Sequence, residues 1–448
     1  MNVGYITELK NVRKHPNADR LLLGDCFGNT VCVSTDYKEG QLGIYFQSGL
    51  QLSENFCNVN DLVRRKDENG NDVGGYLDPI KRNITTIKLR GEKSDGLFLP
   101  LNSLDYCFND NCAENHLKIG DTIDIVNGNL ICEKYIPKKA NRTSAGRTGT
   151  RAHRLAKRSI APTFFEHVDT EQLAYNLAAF NPGDLVEITL KMHGTSQRTG
   201  YLKVFKGMKR TFWDKIFRRE GTPIYDWGYV SGTRRTVLDD FEGGFYGSNA
   251  FRETHARQFE GKLHKGETVY YEVVSFTDTG TPIMGIGNVP KEEQKNYGKT
   301  MIFHYGLDKG SDMYVYRMTM TNEDGEVVEY TPDFMRYRCE QMGVKVVPLL
   351  WRGIIPTEGS KIIDMETNEE YVETAGEFIK RIAENYYDGP DPIGKTHVRE
   401  GVVVRIINRP KFTAYKHKNF LFKQISGIIS NNVSETSIDI SDDILAEL

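Results

Sequence analysis

Residues 185–196 read LVEITLKMHGTS. Six mostly apolar, β-branched positions from Leu185 to Leu190 predict a short strand with at least one face in a core. That strand delivers Lys191 into a turn containing His193 and Gly194, followed by Thr195 and Ser196. Glycine lets backbone come close to a ligand, and turn N–H groups make cradles for anions. A lysine held at the mouth of such a turn is a candidate for phosphate chemistry. The K-x-H-G pattern by itself is short and recurs by chance, so its weight depends on the rest of the chain.

The chain has 448 residues, of which 39% are hydrophobic and 27% charged, with a net charge of −3. A single core seldom serves a chain this long, so two or three domains are expected. The composition is that of a globular protein and excludes a disordered one. Apolar runs reach only about eight residues, too few to span a bilayer. The first residues, MNVGYITELKNVRKHPNADR, lack the apolar core of a secretory leader. The expected location is the cytoplasm, or the nucleus where the source has one, with no membrane association. Six of the seven cysteines lie between Cys26 and Cys132, without a C-x-x-C pair. That spacing fits neither a zinc site nor a disulfide framework, and reduced thiols are expected.

Four further segments follow Lys191: SGTRRTV at 231–237, VYYEVVSF at 269–276, REGVVVRI at 399–406 and YKHKN at 415–419. With K-x-H-G, their order and spacing resemble the covalent nucleotidyltransferase superfamily of RNA ligases, DNA ligases and mRNA capping enzymes, over about residues 161–425. The resemblance implies that the nucleophile is Lys191 and that it carries AMP taken from ATP. An attacking amine must be unprotonated, and neighbouring cations with partial burial lower the proton affinity of a lysine. Lys416 and Lys418 are expected to supply that field and to hold the α-phosphate. Glu400, and with it Glu272, is expected to help bind Mg²⁺ or Mn²⁺, Glu272 having ribose contact as an alternative role. His193 and Gly194 complete the nucleotide turn. In one group of nick-sealing RNA ligases a histidine followed by Gly-Thr stands at the position of His193, which favours RNA as substrate.

Arg234 matches a family arginine that contacts the ribose and the RNA 3′ end. On a strand Arg234 and Arg235 would face opposite sides, so only one enters the site, and Arg235 is left as the RNA contact. Tyr316 is the expected adenine stack, with Tyr314 second on the same strand face. FFEHVDTEQL, before the nucleophile strand, resembles an RNA-ligase entry segment, but no role follows for His167 or Asp169.

Residues 1–133 read as short strands broken by Gly, Asn and Asp turns, expected to close into an OB-like nucleic-acid-binding barrel. VRKHPNADRLLLGDC resembles the opening of tRNA-binding OB modules, and IKLRGEKSDGLFLP resembles a strand–turn–strand in the front module of some RNA ligases. Residues 134–160 form a basic linker. From Lys134 to Phe165 there are nine Lys or Arg and no acid, and Lys138, Lys139, Arg142 and Arg147 are candidate RNA contacts. Residues 161–448 are expected to be the adenylation domain. The expected class is α+β: an N-terminal OB-like β-barrel, then an α+β nucleotidyltransferase (ATP-grasp-like ligase) domain. Capping enzymes and DNA ligases carry a barrel after the last lysine motif, whereas here only 30 residues follow Lys418. The expected activity is therefore ATP-dependent joining of RNA 3′-OH and 5′-phosphate ends, on nicked or splinted duplex, by a monomer. A DNA-nick ligase, a guanylyltransferase and a noncatalytic RNA-binding protein on the same fold are the alternatives.

Overall fold

The computed structural model describes residues 3–136, 160–363 and 370–431, apart from 67, 69, 71, 218–220, 239–240 and 242–247. The chain forms two compact units, Met1–Lys139 together with Phe420–Val433, and Ala140–Asn419. Class and pattern are mixed α and β, as expected.

In the first unit, strands Leu97–Pro100, Leu42–Phe46, Gly4–Glu8 and Thr122–Ile123 pair in that order, all antiparallel. Ile6, Ile44, Phe46, Phe56, Leu104 and Ile131 pack into its core. A second sheet of Lys10–Lys14, Leu21–Cys26 and Asn29–Ser34 is paired separately, and pairing among the described residues does not close these strands into a barrel. The helix Phe420–Asn431, which follows the last lysine motif, belongs to this unit. Its Lys423 pairs with Asp95, whose carboxylate also accepts from Thr86 (2.6 Å) and Ser48 (3.1 Å). Burial alone would raise the Asp95 carboxyl, but Lys423 and the two hydroxyls outweigh it and hold it below the ordinary value. All seven cysteines are free.

The second unit is built on two sheets. One runs Glu171–Gln172, Thr413–Lys418, Gly401–Ile406, Leu185–Leu190, Leu349–Ile354. Its inner face, with Val186, Ile188, Val402 and Val404, packs on Leu173, Phe180, Ile379 and Ala383. Ile379 and Ala383 stand one helical turn apart in Ala375–Glu384, a helix started by a capping box between Thr374 and Glu377. The other sheet runs Val237–Leu238, Thr222–Gly232, Thr195–Lys209, Glu267–Ser275, Ser311–Thr321, Val327–Glu329. Its central strand Glu267–Ser275 is buried at almost every position, which accounts for the apolar and aromatic run VYYEVV, interrupted at Glu272.

The chain crosses from the first sheet to the second between Leu190 and Thr195. Gly194 is required at that crossing. A Cβ there would stand 2.3 Å from the carbonyl oxygen of Val273. Gly401 is required for a similar reason, with φ +145 and a Cβ position 2.0 Å from the carbonyl oxygen of His417. Among the described residues no helix is long and apolar enough to cross a membrane.

The second sheet is locked at one end by a buried ion pair. Glu267, wholly buried, accepts from Arg338 Nε and Nη2 at 2.8 Å each, from the Tyr330 hydroxyl at 3.0 Å and from the His264 N–H at 2.8 Å. Burial pushes its carboxyl up, but these donors win and its value is lowered. We expect Glu267→Ala to cost about 3–5 kcal/mol, because Arg338 is left buried without a counter-charge. Chemical denaturation read on the second unit checks it. In the unsubstituted protein this contribution is complete above the unfolded glutamate value of about 4.3 and is lost as pH falls through the lowered folded value.

Candidate active site

Four of the expected residues meet at the crossing between the two sheets. The Lys191 N–H donates to the carbonyl of Gly401 at 3.0 Å, which ties the start of the turn to the end of the neighbouring strand. Glu400, one residue earlier, is 3% exposed. Its Oε1 receives Lys191 Nζ at 2.8 Å and Lys418 Nζ at 3.1 Å, while its Oε2 lies 3.3 Å from His193 Nδ1. Burial would raise this carboxyl, but Lys191, Lys418 and His193 hold it well below the usual carboxylate range.

The sequence placed two cations beside Lys191. The structure adds a carboxylate between Lys191 and Lys418. In this state the Lys191 nitrogen donates to Glu400. Lys416 stands two residues before Lys418 on the same strand, opposite Val403 and Gln172, so strand alternation gives both lysines the same face.

Glu272 approaches from the second sheet. It pairs with Ser196 on one side and Tyr314 on the other. Its carboxylate has no hydrogen-bond or ion-pair partner among the described residues. Burial and the Glu400 charge push it up to about 7, with Lys191, Arg234 and Arg252 pulling the other way. An unpartnered carboxylate next to a second, ionised one is costly unless something cationic binds there. The pair therefore fits a hard divalent ion that keeps its other positions for water and phosphate oxygens. Among the described residues no group of three or more His, Cys, Asp or Glu is arranged for a metal.

Arg234 and Arg235 differ from expectation. They follow the Thr222–Gly232 strand in a turn closed by the Thr233 N–H donating to Thr236 at 2.8 Å. Strand alternation does not apply in a turn, and both side chains reach Asp169, Arg235 at 3.7 Å. The charge of Arg234 is felt at Glu272 and Tyr316. The carbonyls of Thr233 and Arg234 accept from the buried guanidinium of Arg198, which fixes the turn from below.

Tyr316 shares its hydroxyl with Ser196 Oγ at 2.9 Å, and the His167 ring meets its edge at 4.9 Å. A register shift between Tyr270 and Tyr271 sets Tyr316 at an irregularity of the ladder, whereas Tyr314 lies directly opposite Glu272. The Tyr314 hydroxyl donates to Asp312 at 3.3 Å. Lys138, Lys139, Arg142 and Arg147 lie outside the described residues.

Sequence reading missed Tyr305, whose hydroxyl accepts the His193 N–H at 2.6 Å. Phe303 packs edge-on against the His193 ring at 4.5 Å, and His397 meets Tyr305 at 4.5 Å. These three hold the turn from the outside. Arg252 supports it from below, donating to Thr195 Oγ1 at 2.6 Å. No short motif marks these residues, since their role comes from packing against the turn.

No protein-family model matches this sequence, and no curated protein matches it. Solved structures do. A variant of Naegleria gruberi RNA ligase with ATP and Mn superposes with a TM-score of 0.54 at 16% identity, covering 94% of this chain and 98% of that one. A variant of the same enzyme with AMP and Mn gives 0.55 at 16% identity, over 95% and 98%. The form with PPi gives 0.54 at 16%, over 94% and 97%. The chain has the fold of that RNA ligase. The likeness covers residues of both units.

Tyr305→Phe should leave the His193 N–H buried without an acceptor. The expected loss is about 1–3 kcal/mol of stability. A thermal-unfolding comparison with the unsubstituted protein checks it, and an unchanged midpoint would show that the hydroxyl does not hold the turn.

Proposed function

We propose that this protein is an ATP-dependent RNA ligase working through Lys191. The observation that carries the reading is the single buried carboxylate of Glu400 clasped by Lys191 and Lys418, with the unpartnered Glu272 opposite. A lysine with those neighbours, on this fold, is suited to nucleotidyl transfer. Phosphoryl chemistry asks mainly for positioning and for charge stabilisation, and the site offers both.

In the first step Lys191 Nζ, having lost a proton, attacks the α-phosphorus of ATP. A P–N bond forms and the bond to pyrophosphate breaks. Lys416 and Lys418 face the α-phosphate oxygens and take up their charge. In the second step an oxygen of an RNA 5′-phosphate displaces the lysine, which regains its proton, and a 5′–5′ linked RNA adenylate results. In the third, an RNA 3′-OH attacks that 5′-phosphate, a phosphodiester forms and AMP leaves. Mg²⁺ or Mn²⁺ held by Glu400 and Glu272 would neutralise phosphate charge. Glu400 Oε1 cannot give its full charge to a bound cation and to Lys191 at once, which links cation binding to release of the lysine. We assign the adenine stack to Tyr316, whose hydroxyl shares a hydrogen bond with Ser196, and the sugar contact to Arg234.

The substrate we infer is RNA in a nicked or splinted duplex. We read the first unit as the OB-type module that grips it, with Lys138, Lys139, Arg142 and Arg147 of the connector and Arg235 as backbone contacts. A-form duplex is recognised by shape and 2′-OH contacts, which demands no base-reading side chains.

Incubation with α-labelled ATP should transfer label to the protein. Lys191→Ala should abolish both the label and the sealing of a nicked RNA duplex, and persistence of either would refute the reading. GTP should not replace ATP. Glu400→Gln should slow label transfer by roughly 10²–10³-fold, the usual cost of losing one charge-stabilising group. Chelation of divalent cations should stop label transfer, with recovery on adding Mn²⁺ or Mg²⁺.

A further inference from the structure

The strand that leaves the active site does not end with its sheet. Thr195–Gly200 pairs on both sides, with Glu267–Ser275 and with Thr222–Gly232. Among the described residues, Tyr201 to Lys209 forms a ladder with residues 222–229 alone, as a two-stranded ribbon, with single backbone bonds from the Gly266 N–H to the Tyr201 carbonyl and from the Phe205 N–H to the Ile160 carbonyl. One face of the ribbon is closed, since Leu202 and Val204 pack with Ala161 and Phe164. The other face carries an aromatic ladder. Tyr201 stacks on Tyr229 at 4.7 Å, Phe205 meets Tyr225 at 5.9 Å, and the Lys203 and Lys265 ammoniums stand over the Trp227 ring at 5.0 and 5.4 Å. Beyond the ribbon a short helix, Phe212–Ile216, presents Phe212 and Trp213 at 72% and 63% exposure, and Phe217 follows it at 60%.

Exposed aromatics in such density mark a binding surface. Its charge indicates the occupant. Between Lys203 and Arg219 the sequence carries seven Lys or Arg and one acid, Asp214. Lys206, Lys209 and Arg210 are exposed beside the aromatic tip. Ring faces interleaved with cations suit a polyanion whose units also offer flat faces. A single-stranded nucleic acid has both properties. A membrane surface would call for a longer amphipathic helix than five residues.

We propose that the ribbon formed by Tyr201–Lys209 and residues 222–229, with the Phe212–Phe217 tip, binds a single-stranded stretch of the RNA being joined, away from the catalytic centre. Bases stack on Trp213 and Phe217, and Lys206, Lys209 and Arg210 hold phosphates. At roughly 3.3 Å per residue, the thirteen steps from Ser196 to Lys209 carry the tip on the order of 40 Å from the site. The strand it grips is thus an overhang or flank and not the ends undergoing chemistry. The proposal rests on the reading of the chain as an RNA ligase, and its test is arranged to fail separately from that reading.

The test uses the full chain with a fluorescein-labelled, unstructured RNA oligonucleotide. Trp213→Ala/Phe217→Ala should weaken binding by about tenfold for each ring removed. Lys209→Glu/Arg210→Glu should weaken it similarly at low salt and flatten the salt dependence by roughly one to one and a half in log–log slope. RNA should quench tryptophan emission in the parent protein, and much of that quench should vanish with Trp213. Label transfer from ATP, measured on the same preparations, should be unchanged in all variants. Variants that bind RNA as tightly as the parent overturn the proposal. So does a loss confined to self-association, or to binding of anionic phospholipid vesicles. A parent protein that binds RNA through the ribbon yet never takes label would remove the ligase reading and leave the ribbon standing.

Discussion

Everything in the second unit depends on how the chain changes sheets. Between Leu190 and Thr195 it leaves one sheet and enters the other, and those few residues hold both Lys191 and His193. The crossing is possible because position 194 has no Cβ to strike the Val273 carbonyl. It is held by the Gly401 carbonyl on one side and the Tyr305 hydroxyl on the other. A lysine on an ordinary loop would lose its position to side-chain entropy. Here backbone bonds at both ends of the turn fix where its stem begins, and Glu400 fixes where it ends.

That arrangement stores electrostatic tension. Glu400 is ionised, buried and shared by two ammoniums, while Glu272 is pushed up to about 7 with no partner among the described residues. A fold selected for stability alone would not set two carboxylates beside each other in this way. The surrounding architecture offsets the cost with satisfied ion pairs. Glu267 with Arg338, and Arg317 with Glu329, close the far parts of the same sheet in bidentate geometry. The contrast between paired carboxylates in the frame and a poorly paired one at the crossing marks the crossing as a candidate functional site without reference to any motif.

Legibility in the sequence followed the range of the forces involved. Strand Leu185–Leu190, strand Glu267–Ser275 and strand Gly401–Ile406 were readable because burial writes itself into runs of β-branched residues. The meeting of Lys191, His193, Glu400 and Lys418 was reachable only through resemblance, since more than 200 residues separate its members. Local rules failed where the backbone left regular geometry. Alternation has no hold on Arg234 and Arg235, because the chain turns at Thr233 after the strand ends. The ladder irregularity that sets the position of Tyr316 has no sequence signature. Tyr305 was invisible because a tyrosine accepting one backbone N–H looks like any buried aromatic.

The first unit shows the same limit over longer range. Asp95 lies in a hairpin that reads as an ordinary polar turn, and Lys423 lies in a helix 328 residues later. Neither residue is notable alone. A buried aspartate with three donors explains why the helix Phe420–Asn431 packs with the first unit although it follows the lysine strand of the second. The only residue between Lys418, which donates to Glu400, and that helix is Asn419. Asn419 is itself tied down, its N–H donating to the Glu400 carbonyl at 2.8 Å and its side chain to Asp388 at 2.5 Å. Lys418 and Lys423, one donating to Glu400 in the second unit and the other pairing with Asp95 in the first, thus stand only five positions apart in the chain.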